Sequence, residues 1–159
     1  MPVRCDVFPD RVKAFAEAHR VLKAGGVLLF SVWDRIEENE FADTVTTALE
    51  SLFPKNPPRF LARMPHGYCD PVTIGHDLQG GGFVTAPHLD TVSARSTATS
   101  ARIPALAYCQ GTPLRNEIEV RDASLLGKAT DVAAAAIARE FGPDAVDGKI
   151  QAHVVAVEC

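Results

Sequence analysis

The feature that most constrains this chain is an apolar run, Val27-Leu28-Leu29-Phe30-Ser31-Val32, entered through the pair Gly25-Gly26. The run has little polar alternation. That is the pattern of a strand covered on both faces, as in a parallel sheet layered by helices. Upstream, Asp10 has the chemistry of a helix N-cap, and Phe15, Ala18 and Leu22 fall on one stripe. The spacing predicts a helix over 9–23. Glycine tolerates the left-handed backbone that a C-cap needs, so Gly25-Gly26 ends it. Helix, tight turn and buried strand make half of a βαβ unit, which places the chain in the α/β class.

The remainder continues that alternation. A second helix is predicted over 40–53, capped by Asn39, with Phe41, Val45, Leu49 and Leu52 as its buried face. Pro54 ends it, and Pro57-Pro58 stiffens the following loop. Residues 60–69 read as irregular. Asp70-Pro71 opens a short helix toward Leu78, and Gly80-Gly81-Gly82 closes it. A strand is predicted over 83–97 and helices over 103–121, broken near Gly111-Thr112-Pro113. A further helix over 127–141 contains four consecutive alanines, Ala133 to Ala136. A last strand over 150–157 is apolar on both faces. No repeat, low-complexity linker or domain boundary interrupts the 159 residues, which read as one domain, 1–159.

Composition narrows the function classes. A formal charge of −4, with 16 Lys and Arg spread thinly, argues against nucleic acid as a partner. No run approaches the ~20 apolar residues of a membrane span, and no signal peptide is read at the start. The four cysteines, Cys5, Cys69, Cys109 and Cys159, form no CxxC pair, so no metal site is expected. They read as reduced thiols of a cytoplasmic protein.

Phe8-Pro9-Asp10, then Arg20-Val21-Leu22-Lys23 with Gly25-Gly26, then Phe30-Ser31-Val32-Trp33-Asp34 carry a resemblance. From Val7 onward the chain resembles the carboxyl-terminal half of class I S-adenosylmethionine (SAM)-dependent methyltransferases. The similarity is to their small-molecule branch, related to the ubiquinone and menaquinone methyltransferases. The family usually has proline where this chain has Ala24. The resemblance implies a partial Rossmann-like sheet with antiparallel terminal strands and a helical insertion. It also implies SAM as cofactor, a small organic acceptor, and a site bordered by Phe8, Pro9 and Asp10.

The glycine-rich turn that lets a nucleotide approach the backbone is not found in this sequence. Gly80-Gly81-Gly82 follows a predicted helix and precedes a predicted strand, the reverse of the order such a turn needs. The chain therefore reads as a truncated or partial methyltransferase, not active alone, or as a non-catalytic ligand-binding or dimerisation module of the same ancestry. Left bare, the strand over 27–32 is a pairing liability. Residues 3–7 are one remedy; a homodimer or a partner chain at that edge is the other.

Trp33 and Asp34 sit at the carboxyl end of the predicted strand, where open α/β sheets bind ligands. His66, Tyr68, Cys69 and Asp70 cluster within one loop, and in the resembling enzymes that loop lies over the substrate. Trp33, His66 and Tyr68 are the candidate substrate-lining residues, and no residue is assigned to catalysis. Read from the residues alone, Phe8-Pro9-Asp10 is a helix N-terminus before it is a cofactor border, whereas Trp33 is equally a core residue. His153 alternates with Val155 in the last strand and is expected to face a helix or the surface.

Overall fold

The structure, a computed structural model, describes the backbone of Val3–Arg4 and residues 8–159. In chain order the elements are β1 (Val3–Arg4), α1 (Arg11–Val21), β2 (Val27–Trp33), α2 (Glu40–Leu52), α3 (Phe60–Arg63) and α4 (Pro71–Gly80). There follow β3 (His88–Ala98), α5 (Arg102–Gly111), α6 (Leu114–Asp122), α7 (Leu126–Phe141) and β4 (Val146–Glu158). The chain is of the mixed α/β class.

Four strands form one sheet in the order β1-β2-β4-β3. β1 runs parallel to β2, with Val3 opposite Phe30. β4 runs antiparallel to β2, with Val32 opposite His153 and Phe30 opposite Val155. β1 thus takes the edge of β2 that the sequence left open. The rest of residues 3–7, Cys5 included, lies outside the described residues.

The chain gathers into two compact units. One comprises Met1–Arg35, Met64–Ser93 and Gln151–Cys159, the other Ile36–Arg63 and Ala94–Ile150. In the first, Phe30 and Val32 of β2, Val155 and Val157 of β4, Phe15 of α1, and Ile74 and Leu78 of α4 form the core with Tyr68 and Phe83. Caps set the helices. The Asp10 carboxylate accepts from the Lys13 N–H at the start of α1, and Asp70 accepts from the Thr73 N–H at the start of α4.

The glycine triplet after α4 has a packing role. A Cβ on Gly81 would lie 2.5 Å from the Phe15 Cβ, so only glycine lets the end of α4 touch α1. Of the three glycines only Gly82 has a positive φ, +99°.

One sequence expectation fails here. β2 is buried on one face only: Phe30 and Val32 are in the core, whereas Val27 and Leu29 are 57% and 56% exposed. Helices α1 and α4 cover a single side of the strand, and no described residue covers Val27 or Leu29 enough to bury it. An apolar run reports that both faces avoid polar residues. It does not report that a second layer is present.

The second unit is helical apart from the strand ends it contains. α7 presents Ala129, Ala133 and Ile137 to a core that includes Val45 and Leu49 of α2 and Ala105 and Cys109 of α5. Small side chains let the helices approach closely. Phe41 meets Phe141 edge-on, with ring centroids 5.0 Å apart. Residues 60–69, expected to be irregular, contain the single turn α3.

Candidate functional site at the carboxyl end of β2

The first unit carries a polar cluster where β2 ends, and Asp34 is its hub. The residue follows the last residue of β2, and its N–H donates to the Gln151 carbonyl at 3.1 Å. Its carboxylate accepts from the Arg35 N–H at 2.7 Å and from the Gln151 amide at 2.6 Å. His153 Nε2 lies 3.1 Å from Oδ1. Burial alone would push this carboxyl up, but the Gln151 amide, the Arg35 N–H and His153 together hold it below the usual carboxylate range.

The histidine is positioned by strand pairing. His153 stands opposite Val32 on β4 and shares its inward face with Val155 and Val157. Nε2 faces Asp34, and on the other side of the ring Nδ1 lies 3.0 Å from the Thr91 hydroxyl. A parallel arm runs from the Ser93 hydroxyl to the Gln151 side-chain oxygen at 2.7 Å. Both hydroxyls come from β3, and their partners descend β4 as β3 ascends, so the pair is antiparallel.

Asp34 reaches a second histidine through its main chain. His66 is buried, and its Nδ1 donates to the Asp34 carbonyl at 2.8 Å. A carbonyl only accepts, so Nδ1 of this ring carries a proton. The His66 ring lies beside the half-buried Trp33, with centroids 6.0 Å apart and planes tilted by 47°. The structure therefore brings Trp33 and His66 together.

Tyr68 goes elsewhere. It is 3% exposed and belongs to the core; its hydroxyl donates to Asp77 Oδ2 at 2.9 Å, and the Arg11 guanidinium lies 4.0 Å over its ring. Asp70 caps α4, and the Thr73 hydroxyl and N–H hold its carboxyl below the usual range. The loop cluster His66, Tyr68, Cys69 and Asp70 thus sends three of its side chains to separate partners.

Phe8, Pro9 and Asp10 lie exposed before α1, with Asp10 engaged as its cap. Sequence reasoning missed Gln151, Thr91 and Ser93 and underread His153. Its alternation with Val155 and Val157 was the available signal, since those valines must face the core.

The arrangement can hold protons at defined atoms and present a fixed, partly aromatic wall. Among the described residues no group of three or more His, Cys, Asp or Glu could hold a metal ion. No helix among them is long and apolar enough to cross a membrane. Compared with known proteins, the sequence matches no family model and no curated protein.

Proposed function

We propose that these residues form the carboxyl-terminal part of a class I SAM-dependent methyltransferase, with a Rossmann-like sheet, acting on a small organic acceptor. The observation that carries this reading is the sheet order. β2 lies between a parallel β1 and an antiparallel β4, and Trp33 and Asp34 mark its carboxyl end beside His66. In such a sheet the carboxyl end is the ligand edge. Trp33 and His66 line the acceptor side. The bare Val27 and Leu29 favour a further layer, from a partner chain or a second copy, as part of the working protein.

The described residues do not by themselves make a SAM cradle. The three positive-φ glycines, Gly25, Gly82 and Gly142, each follow a helix, whereas a nucleotide-binding turn follows the carboxyl end of a strand. Phe8, Pro9 and Asp10 border the cofactor only in the resemblance. SAM would supply the methyl group, and the residues described here orient the acceptor.

The second reading is a non-catalytic ligand-binding module. It is favoured by the engagement of both histidines with Asp34, which suits a rigid wall as well as it suits proton transfer. Labelled SAM and a panel of small hydroxylated aromatic and aliphatic acids separate the two. The test protein is this chain together with any reading frame continuous with it upstream. The methyltransferase reading expects label in an acceptor, with Trp33→Ala and His66→Ala raising the acceptor KM more than the SAM KM. Acceptor binding without transfer would replace it with the module.

A further inference from the structure

The second unit contains a basic hollow whose chemistry is independent of the site at β2. It encloses about 440 Å³ and is lined by Asn56, Pro57, Arg59, Ala62, Arg63, Glu117 and Arg121. An adjoining hollow of about 380 Å³ shares Asn56 and Arg121 and adds Phe53, Pro54 and Lys55. Arg59, Arg63 and Arg121 line the first hollow, and Lys55 joins Arg121 in the second, on a chain whose formal charge is −4. The carboxylates paired with them are Glu50, on Arg59, and Glu117.

The cations divide into fixed and movable groups. Arg121 is fixed: its Nε donates to the Asn56 carbonyl at 2.7 Å, and its Nη2 reaches the Pro57 carbonyl and the Asn56 side chain. It clamps the loop that forms one wall, and its side chain is only 19% exposed. Arg59 and Arg63 are movable, with side chains 61% and 66% exposed. The Arg59–Glu50 pair joins two exposed side chains and is worth at most about 1 kcal/mol, and in the Arg63–Glu117 pair the guanidinium is the exposed partner that an incoming anion can reach.

Glu117 shows what the donors accept. Its carboxylate takes the Arg63 guanidinium and, at 3.0 Å, the Arg59 N–H, and it lies 3.8 Å from Arg121 Nη1. One anionic group is thus held by two donors from residues 59–63, with the Arg121 guanidinium as a nearby third charge. Four cations against two carboxylates leave an excess of two positive charges. That matches a phosphate monoester, which carries about −1.5 to −2 at neutral pH, better than a single carboxylate. Guanidinium forks also suit phosphate geometry. Pro54, Pro57 and Ala62 give apolar wall beside the charges, for an organic group attached to the phosphate.

We propose that this hollow binds the phosphate monoester of a small organic molecule, held by Arg59 and Arg63 against the fixed Arg121, with Lys55 completing the charge. The proposal does not rest on the methyltransferase reading, and either can fail without the other.

Phenyl phosphate is the probe, with phenol as its uncharged control, titrated at low ionic strength while amide NMR shifts are followed. The expected result is saturable one-to-one binding at roughly millimolar strength or tighter, with shifts centred on residues 53–63 and 117–121, and none with phenol. The double variant Arg59→Gln/Arg63→Gln should weaken binding by about tenfold or more. Both heads are mostly exposed, so its melting temperature should stay near that of the parent. Glu117→Gln, which removes the internal competitor, should tighten binding. Linear, non-saturating shifts, or undiminished affinity in the double variant, would overturn the proposal.

Discussion

His153 Nε2 faces Asp34 Oδ1 at 3.1 Å, with the two side chains only 8% and 13% exposed. Strand register brings them together, because Val32 and His153 are directly opposed and Asp34 follows two residues on. Asp34→Asn keeps one acceptor oxygen but replaces the other with an NH2 group, so either the buried His153 N–H or the Gln151 amide faces a donor instead of an acceptor. Asp34→Asn should therefore cost about 1–3 kcal/mol of unfolding free energy, read from urea denaturation. Arg20→Gln, at the exposed Arg20–Glu17 pair, should change it by less than about 0.5 kcal/mol. Equal effects would remove the special role given to Asp34.

The pH dependence of that difference has a definite sign. The Asp34 carboxyl is held below its ordinary value in the folded chain, despite burial, by Gln151, Arg35 and His153. A depressed folded value gives stability that is complete above the unfolded carboxyl value, about 3.9. It is lost as pH falls through the lower folded value. The stability gap between parent and Asp34→Asn should be constant from pH 7 to about 5 and shrink below about 4. Urea midpoints at stepped pH check this. A gap that widens on acidification would contradict it.

Gly81→Ala tests the close approach of α4 to α1. The added Cβ would sit 2.5 Å from the Phe15 Cβ and 3.0 Å from the Ala16 nitrogen, and both belong to a helix that cannot yield locally. The substitution should cost about 1–3 kcal/mol. Gly75→Ala, whose Cβ meets nothing within 4 Å, should be neutral or stabilising. Thermal melts of the two variants give the comparison.

Cys109 should behave as an inert thiol. It is fully buried in α5, and burial pushes its thiol up to about 11 despite a hydrogen-bonding contribution from Thr130 that works the other way. At pH 8 it is neutral and shielded. A thiol reagent should label Cys69 and Cys159, both half-buried, before Cys109, which should react only in denaturant. Peptide mass mapping reads the order, and prompt native labelling of Cys109 would show that α5 opens.

Local signals in the sequence were strong where a single residue dictates backbone chemistry. Asp10 and Asp70 cap the helices they were expected to cap, and the break between α5 and α6 falls at Thr112-Pro113. The two-sided burial of β2 was misread because apolar patterning is a property of the strand, whereas coverage depends on what packs against it. The Asp34 network was illegible for a different reason: Asp34, Thr91, Gln151 and His153 meet only through the order β2-β4-β3, and nothing local to any one of them encodes that order. Tyr68 was placed beside His66 by proximity in sequence, yet adjacent positions on a loop turn to different partners.

We propose that these residues belong to a SAM-dependent methyltransferase and do not by themselves hold its cofactor. Calorimetric titration with S-adenosylhomocysteine checks this, on the 159-residue chain and on the same chain extended by any reading frame continuous with it upstream. No saturable heat is expected from the first and one-to-one binding at roughly micromolar strength from the second. Micromolar binding by the 159 residues alone would contradict the missing cradle, and no heat from either form would contradict the methyltransferase reading itself.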